Sequence, residues 1–179
     1  MQSQEVLYFW FEELTPEQWW RKDPALDAAM QRRFGALVAA AAACELDHWR
    51  NTAHGRLAEI LLLDQFSRNI YRNTPQAFAA DPLALGLAQE AIAAGAEHEL
   101  NLTERRFLYM PFMHSESLRI HERAEKLFEQ LGMPDVIDYE QRHKRIIERF
   151  GRYPHRNAIL GRPSTPNETA FLEEPGSSF

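Results

Sequence analysis

The sequence has little cysteine, little lysine and no long apolar run. Cys44 is the one cysteine among 179 residues, so no disulfide can form within the chain. The longest apolar run, residues 34–44, has 11 residues, whereas a membrane-spanning helix needs roughly 20. The first residues lack the cationic region of a secretory signal, and we therefore expect a cytoplasmic protein outside the membrane. Within its Ala-rich run, Cys44 is interpreted as a small buried apolar residue.

Basic residues are fewer than acidic ones: 20 Lys and Arg stand against 26 Asp and Glu, a formal net charge of −6. This balance argues against a general nucleic-acid or anionic-membrane binder, because both need a basic surface. Arginine supplies 17 of the 20 cations, which favours bidentate anion binding and buried ion pairs. The length and the 45% hydrophobic fraction fit one globular domain, which we predict at residues 1–172, with a frayed tail at residues 173–179.

Strand patterns are also missing, because no stretch alternates apolar and polar residues between turn dipeptides. Apolar residues recur instead at helical spacing, and proline follows a good N-cap residue at four positions, which predicts helix starts. The four N-cap residues are Thr15, Asp23, Asp81 and Thr165, of which the first and the last also fit a capping box. The sequence therefore predicts an all-α protein of antiparallel helices joined by short loops.

The segment of residues 61–72 places polar groups where a helical stripe would place apolar ones. Asp64 follows Leu57 and Ile60 on one helix face, so its carboxylate is expected to point inward and to need a partner. Arg68, four residues later, is in reach. The pair is either an ion pair that ties helices together or part of a ligand site that also includes Asn69.

A proline interrupts the second polar segment, residues 107–117. Because Pro111 cannot lie deep in a helix without breaking it, we expect one helix to kink or end near Met110. The next helix is expected to start near His114 or Ser115. His114 and Glu116 could act there as acid and base; alternatively, Ser115 caps the helix and Glu116 favours its dipole.

The third segment, residues 141–162, contains seven basic residues and one acidic residue, so the rest of the chain carries −12. Gly151 and Pro154 interrupt the helix, and the cations surround a turn. Converging arginines and histidines beside a helix N-terminus suit a phosphate or carboxylate. The polar residues of this turn are His143, Arg149, Arg152, His155, Arg156, Asn157 and Arg162. Two other interpretations stay open: ion pairs with Asp64, Glu59 or Glu116, and a solvated surface.

Two further patterns are interpreted conservatively. His121 and Glu125 have the spacing of a helical zinc motif, but the stretch is mostly charged and is interpreted as a solvated helix face. The aromatic run of residues 8–11, with Trp19 and Trp20, is interpreted as core packing. No P-loop, dinucleotide fingerprint or nucleophile elbow is present. We predict no metal site and no cofactor.

Four long motifs carry a resemblance to a known family: residues 20–27 (WRKDPALD), 63–72 (LDQFSRNIYR), 112–116 (FMHSE) and 149–162 (RFGRYPHRNAILGR). With these motifs the chain resembles the bacterial family called domain of unknown function 924, over nearly its whole length. The resemblance implies a TPR-like stack of helical hairpins and no known reaction. Besides the residues above, it marks Gln65 as a signature position. The family commonly has an acid where Ser117 stands, and usually no histidine at position 121.

Three functions are compatible with these patterns. The first is a binding module for a small anion, a phosphorylated metabolite or a peptide carboxylate; its ligand-binding candidates are Arg68, Asn69, His143, Arg149, Arg152, His155, Arg156, Asn157 and Arg162. The second is an enzyme, with His114, Glu116, His155 and Asp64 as catalytic candidates. The third is a structural or protein-interaction domain whose Asp and Arg residues form buried ion pairs. Nucleic acid is an unlikely partner, and the sequence does not define the oligomeric state.

Overall fold

The fold is all helical in the computed structural model, which describes residues 2–179, and this confirms the predicted all-α class. The α-helices are α1 Gln2–Tyr8, α2 Pro24–Ala42, α3 Ala53–Leu61, α4 Ser67–Ile70, α5 Gln76–Ala79, α6 Asp81–Ala93, α7 Leu102–Met113, α8 Leu118–Leu131, α9 Pro134–Phe150 and α10 Pro166–Leu172. Two π-helical turns, Phe9–Glu13 and Leu62–Phe66, continue α1 and α3. Short 3-10 helices are Asp47–Asn51, Ala96–Glu99 and Pro154–Arg156.

The chain divides into two compact units. The first unit consists of the chain up to Arg72 together with Gln76–Pro111; the second consists of Asn73–Pro75 and Phe112–Phe179. The one-domain boundary at residues 1–172 and the TPR-like stacking stay predictions.

Aromatic rings fill the core of the first unit. Phe34 packs with Phe9 and Phe66 at ring-centroid distances of 4.9 and 5.1 Å. Trp10 lies 5.3 Å from Phe66 and 5.5 Å edge-on from Phe107. Phe9 and Trp10 are both buried, which confirms the predicted core packing for these two residues. Tyr8 and Trp20, which were predicted to join the core, are exposed.

Two of the four predicted helix starts have the predicted cap. The Asp23 carboxylate accepts from the Ala25 and Leu26 N–H groups at 3.0 and 3.2 Å, and Thr165 forms a full capping box with Glu168. The prediction at Thr15 was wrong, because residues 16–20 form turns and not a helix. The predicted helix start at Asp81 is present, but the N-cap residue of α6 is Ala80, and the Asp81 carboxylate binds Arg68.

The predicted end of a helix near Met110 was wrong, and the alternative of a kink there stays a prediction. Helix α7 continues through Pro111 to Met113, and α8 begins at Leu118 with Ser117 as its N-cap. Pro111 removes one hydrogen-bond donor, but its neighbours Met110 and Phe112 are buried. The burial of these side chains offsets the lost hydrogen bond, and Ser115 does not cap the helix.

Cys44 is exposed, against the prediction of a buried residue. Helix α2 ends at Ala42, and Cys44 adopts a left-handed conformation with φ of 59°. The chain has therefore left the apolar face of the helix before it reaches the thiol.

In the second unit, α8 and α9 pack against each other. Tyr153, fully buried in the turn after α9, packs with Ile146, Ile147 and Phe171. The last seven residues, for which we expected fraying, fold back in a turn at Gly176, where φ is 78°. The Ser177 hydroxyl donates to the Leu172 carbonyl at 3.1 Å.

Candidate functional site

The polar segments of the sequence fall into different units. Residues 61–72 belong to the first unit, whereas residues 114–116 and 141–162 belong to the second.

Asp64 is fully buried and fully engaged in the first unit. Its Oδ2 accepts from Gln65 Nε2 at 2.6 Å, and its Oδ1 lies 3.3 Å from the Arg68 guanidinium. Arg68 also makes two hydrogen bonds of 2.9 Å to the Asp81 carboxylate at the start of α6. The predicted i to i+4 pair is present, and it extends into a three-residue network that joins the π-helical turn, α4 and α6.

The next polar residues of this segment bind α2. Asn69 Nδ2 donates to Asp27 Oδ1 at 2.8 Å, and Arg72 binds both oxygens of the same carboxylate at 2.6 and 2.9 Å. Bidentate pairs of this kind fix geometry as well as charge. The geometry of Arg68 and Asn69 is that of helix-to-helix contacts within the unit.

Two arginines of the turn, Arg152 and Arg162, bind carboxylates of the second unit. Arg152 makes hydrogen bonds of 2.6 and 2.8 Å to Glu168 of α10. These bonds, with the N–H and the hydroxyl of Thr165, lower the pKa of Glu168 to about 2. Arg162 binds both oxygens of Glu116 at 2.7 and 2.9 Å.

Glu116 also accepts the Tyr153 N–H at 2.7 Å. Burial alone would raise the pKa of Glu116, but the Arg162 and Tyr153 hydrogen bonds and the Arg162 and Arg156 charges outweigh it and hold the pKa below its usual value. Of the other carboxylates predicted as partners for the turn, Asp64 binds Arg68 and Glu59 binds Arg50. Glu116 is the one that meets this turn.

Two arginines of the turn have a different environment. The Arg149 side chain is 51% exposed, lies 3.8 Å from Glu174 and covers the ring of Phe171. Arg156 is buried, donates to the His114 carbonyl at 3.0 Å and lies over the Tyr153 ring at 4.8 Å. Asn157 is buried and donates to the Ser164 hydroxyl at 3.1 Å.

The predicted helix N-terminus at Pro154 is absent. Pro154–Arg156 is a single 3-10 turn of three residues, and this turn is too short to present a row of free N–H groups. The Tyr153 N–H before it is already bound by Glu116.

The predicted solvated position of His121 was wrong, because the side chain is completely buried. Its Nδ1 lies 2.6 Å from Glu140 Oε1, and its Nε2 lies 2.8 Å from the Ser115 carbonyl and 3.1 Å from the Tyr153 hydroxyl. A carbonyl can only accept, so we assign a proton to Nε2. The Tyr153 hydroxyl donates in turn to the Met113 carbonyl at 2.6 Å.

One further proton therefore lies between His121 Nδ1 and Glu140 Oε1. Whether it resides on nitrogen or oxygen, the pair has zero net charge, which suits a buried location. Burial raises the pKa of Glu140, with the His121 contacts opposing. The second oxygen, Oε2, is buried and has no hydrogen-bond partner among residues 2–179.

An aromatic and imidazole cluster surrounds Tyr153, and we call His143, Tyr153, His155 and Arg156 the imidazole site. His143 Nδ1 donates to the Tyr139 carbonyl at 2.7 Å. The pKa of His143 is lowered to about 3, mainly by burial. Charge on His114, His121 and His155 adds to this effect, whereas the hydrogen bond to Tyr139 opposes it. Its ring is therefore neutral at pH 7.

The Phe179 ring lies on the imidazole site. Its centroid is 3.8 Å from that of His143, with 22° between the ring planes, which is a stacked arrangement. It meets His155 and Tyr153 edge-on at 5.8 and 6.5 Å. Tyr153, Glu140 and Phe179 were not among the site residues predicted from the sequence. For His121, the apolar positions Ala124, Phe128 and Leu131 on the same helix face are the signal that predicts burial.

The catalytic candidates do not form one group within a unit. His114 and His155 both belong to the second unit, and charge on each contributes to the lowered pKa of His143. Glu116, however, is held by Arg162, and Asp64 belongs to the first unit. A shared acid–base role for His155 and Glu116 loses support, because the carboxylate is already bidentate with an arginine.

Within residues 2–179, no three or more His, Cys, Asp or Glu side chains are arranged to hold a metal ion. Over the same residues, none of the helices has the length and apolarity that crossing a membrane requires.

The all-helical fold and the motif residues define the class of this protein. The chain matches the family described as bacterial protein of unknown function (DUF924) over residues 6–176, and it belongs to that family. It is similar to the solved structure of the protein of unknown function ATU0120 from Agrobacterium tumefaciens, with 40% sequence identity and a TM-score of 0.91; the match covers 96% of this chain and 97% of the other. A comparison with curated proteins gave no match.

Proposed function

We propose that the protein is a binding module and that the imidazole site receives a small anionic molecule with a planar ring. The observation that carries the proposal is the Phe179 ring stacked 3.8 Å from His143. This side chain occupies the place that the ring of a ligand would take.

Two properties make that place suitable for an exchangeable ring. Phe179 is 51% exposed, so its burial is incomplete and its removal exposes little additional apolar surface. His143 is neutral because of burial, and a ring can stack on it without desolvating a charge. The buried Tyr153 ring packs against the imidazoles of His143 and His155 and holds them in position.

Arg156, which adjoins Tyr153 within the imidazole site, supports the anionic part of the ligand. Arg149, at the end of α9, is a more exposed cation. A guanidinium binds carboxylate or phosphate through paired N–H donors. By contrast, Arg152 and Arg162 are saturated by Glu168 and Glu116, so we assign them to structure.

The same proposal defines the setting of the protein. The ligand class is a phosphorylated metabolite or a peptide carboxylate. The excess of acidic residues argues against nucleic acid as a general partner. The compartment is the cytoplasm. The Asp64 network of the first unit supports the fold without a ligand.

Three probes separate the two features of the ligand. Phenyl phosphate carries a ring and an anion, inorganic phosphate carries the anion alone, and benzyl alcohol carries the ring alone. We expect calorimetric titration to give the tightest binding for phenyl phosphate. Equal affinity for phenyl phosphate and inorganic phosphate would show that the ring of the ligand does not contribute to binding. No binding of any probe at millimolar concentration would overturn the proposal.

A matched pair of variants locates the binding. Arg156→Lys retains the charge but loses the planar fork and the stacking on Tyr153, whereas Arg145→Lys makes the same change at an exposed position of α9. We expect phenyl phosphate affinity to fall about tenfold in the first variant, in line with the loss of one charge-assisted hydrogen bond, and to be unchanged in the second. Equal affinities in both variants would place the ligand elsewhere.

A further inference from the structure

We propose that residues 173–179 form an intrachain competitor that occupies the imidazole site and limits ligand access. The inference rests on the proposed binding function and adds its regulation.

The segment is anchored before it reaches the site. Gly176 reverses the chain with φ of 78°. Ser177 is buried, its hydroxyl donates to the Leu172 carbonyl at 3.1 Å, and its N–H donates to the Glu174 carbonyl at 3.3 Å. The turn therefore holds the tail at the end of α10, two residues before Phe179.

Beyond this anchor the hold on the tail is weak. Phe179 is half-exposed, and its ring lies on His143. A further tie is the Glu174 carboxylate, 3.8 Å from Arg149, and both of these side chains are about half-exposed. Exposed ion pairs contribute little stability. The tail is thus tethered at Ser177 and readily displaced at Phe179.

The tail also carries the two chemical features of the proposed ligand. Glu174 supplies an anion to Arg149, and Phe179 supplies a planar ring to His143. A molecule that stacks on the same face of His143 cannot bind while Phe179 lies there. The apparent affinity for such a molecule is therefore reduced by the fraction of chains whose tail is in place.

Removal of the competing ring tests this relationship. We expect Phe179→Ala to bind phenyl phosphate about three- to tenfold more tightly than the wild type, because the competent state becomes fully populated. Ser178→Ala changes an exposed neighbour in the same tail and is expected to leave the affinity unchanged. Equal affinities in the wild type and Phe179→Ala would overturn the competition while leaving the binding function intact.

A readout without ligand tests the contact itself. A ring stacked at 3.8 Å shifts the carbon-bound proton resonances of His143 in NMR spectra. We expect these resonances to move in Phe179→Ala and to stay in place in Ser178→Ala. Unmoved His143 resonances in Phe179→Ala would overturn the tail contact. If these resonances move but neither protein binds any of the three probes, the proposed function fails, and the competition fails with it.

Discussion

Nδ1 of His121 lies 2.6 Å from Oε1 of Glu140 inside the second unit, and the two side chains share one proton. Both side chains are buried, and they join α8 to α9. Because Nε2 of the histidine already donates to the Ser115 carbonyl, the imidazole is fixed in one orientation. His121 also contacts the Tyr153 hydroxyl, so the pair connects α8 and α9 to a buried residue of the imidazole site.

The first prediction uses the asymmetry of this pair. Glu140→Gln can still donate from its amide to a neutral Nδ1, so we expect a loss of about 1 kcal/mol in the free energy of unfolding. His121→Ala leaves a buried carboxyl group without a partner and a cavity beside it, and we expect a loss of about 3 kcal/mol or more. Urea denaturation measures both. Equal losses would contradict the shared proton.

The second prediction concerns acid stability. The pKa of Glu168 is lowered from 4.5 to about 2 in the folded protein, first of all by the Arg152 hydrogen bonds. This contribution is present above the pKa of the unfolded chain and is lost as the pH falls from about 4.5 toward 2. We expect Glu168→Gln to be less stable than the wild type at pH 6 and to lose less stability over that window.

The control for this comparison is Glu148→Gln, a change at an exposed carboxylate of α9 that lies 3.9 Å from Lys144. The pH dependence of its unfolding is expected to follow that of the wild type. If the free energy of unfolding of Glu168→Gln falls with pH as steeply as that of the wild type, the Arg152 pair does not lower the pKa of Glu168.

The third prediction concerns the protonation of His143. Its pKa is lowered to about 3, with burial as the main cause. Folding therefore opposes protonation: the stability from the neutral ring is complete above the unfolded pKa of 6.5 and is lost as the pH falls from there toward 3. We expect the NMR resonances of the His143 ring to stay unchanged between pH 8 and pH 5, and a midpoint near 6.5 would refute its burial.

The fourth prediction concerns the buried network of the first unit. Asp64→Asn removes a buried charge that faces Gln65 and Arg68, and we expect a loss of about 3 kcal/mol in the free energy of unfolding. Arg68 retains Asp81, so the fold is expected to persist. Thermal and urea unfolding measure the loss. An unchanged melting temperature would count against a structural role for Asp64.

Glu90→Gln is the matched control for Asp64→Asn. Glu90 pairs with Arg56, but its side chain is 56% exposed. We expect this variant to lose less than about 1 kcal/mol, because water screens exposed ion pairs.

Local patterns predicted part of the fold well. Asp23 and Thr165 cap helices because the groups that they bind lie two or three residues away, so sequence spacing suffices. Asp64 was predicted to be buried beside Arg68 by the same reasoning, since helix periodicity decides which face a residue occupies. The wrong prediction at Thr15 shows the limit: a capping pattern does not make a helix where the following residues form turns.

Local sequence spacing could not predict which carboxylates bind the arginines. Arg152 binds Glu168 sixteen residues away, and Arg162 binds Glu116 at a separation of forty-six. The concentration of cations in residues 141–162 was visible in the sequence, but the carboxylates that bind Arg152 and Arg162 come from elsewhere in the chain: Glu168 lies on α10, and Glu116 lies between α7 and α8. Charge count alone therefore overestimated the anion-binding capacity of this turn.

The sequence by itself determined the helical class, the family and the places where polar residues interrupt apolar stripes, because helix periodicity and capping act over a few residues. Only the tertiary structure decided which of those polar residues are consumed by partners. It paired Arg162 with Glu116, buried His121 against Glu140 and laid Phe179 on His143. These contacts depend on how distant helices pack, and packing is a property of the whole chain and not of any local segment.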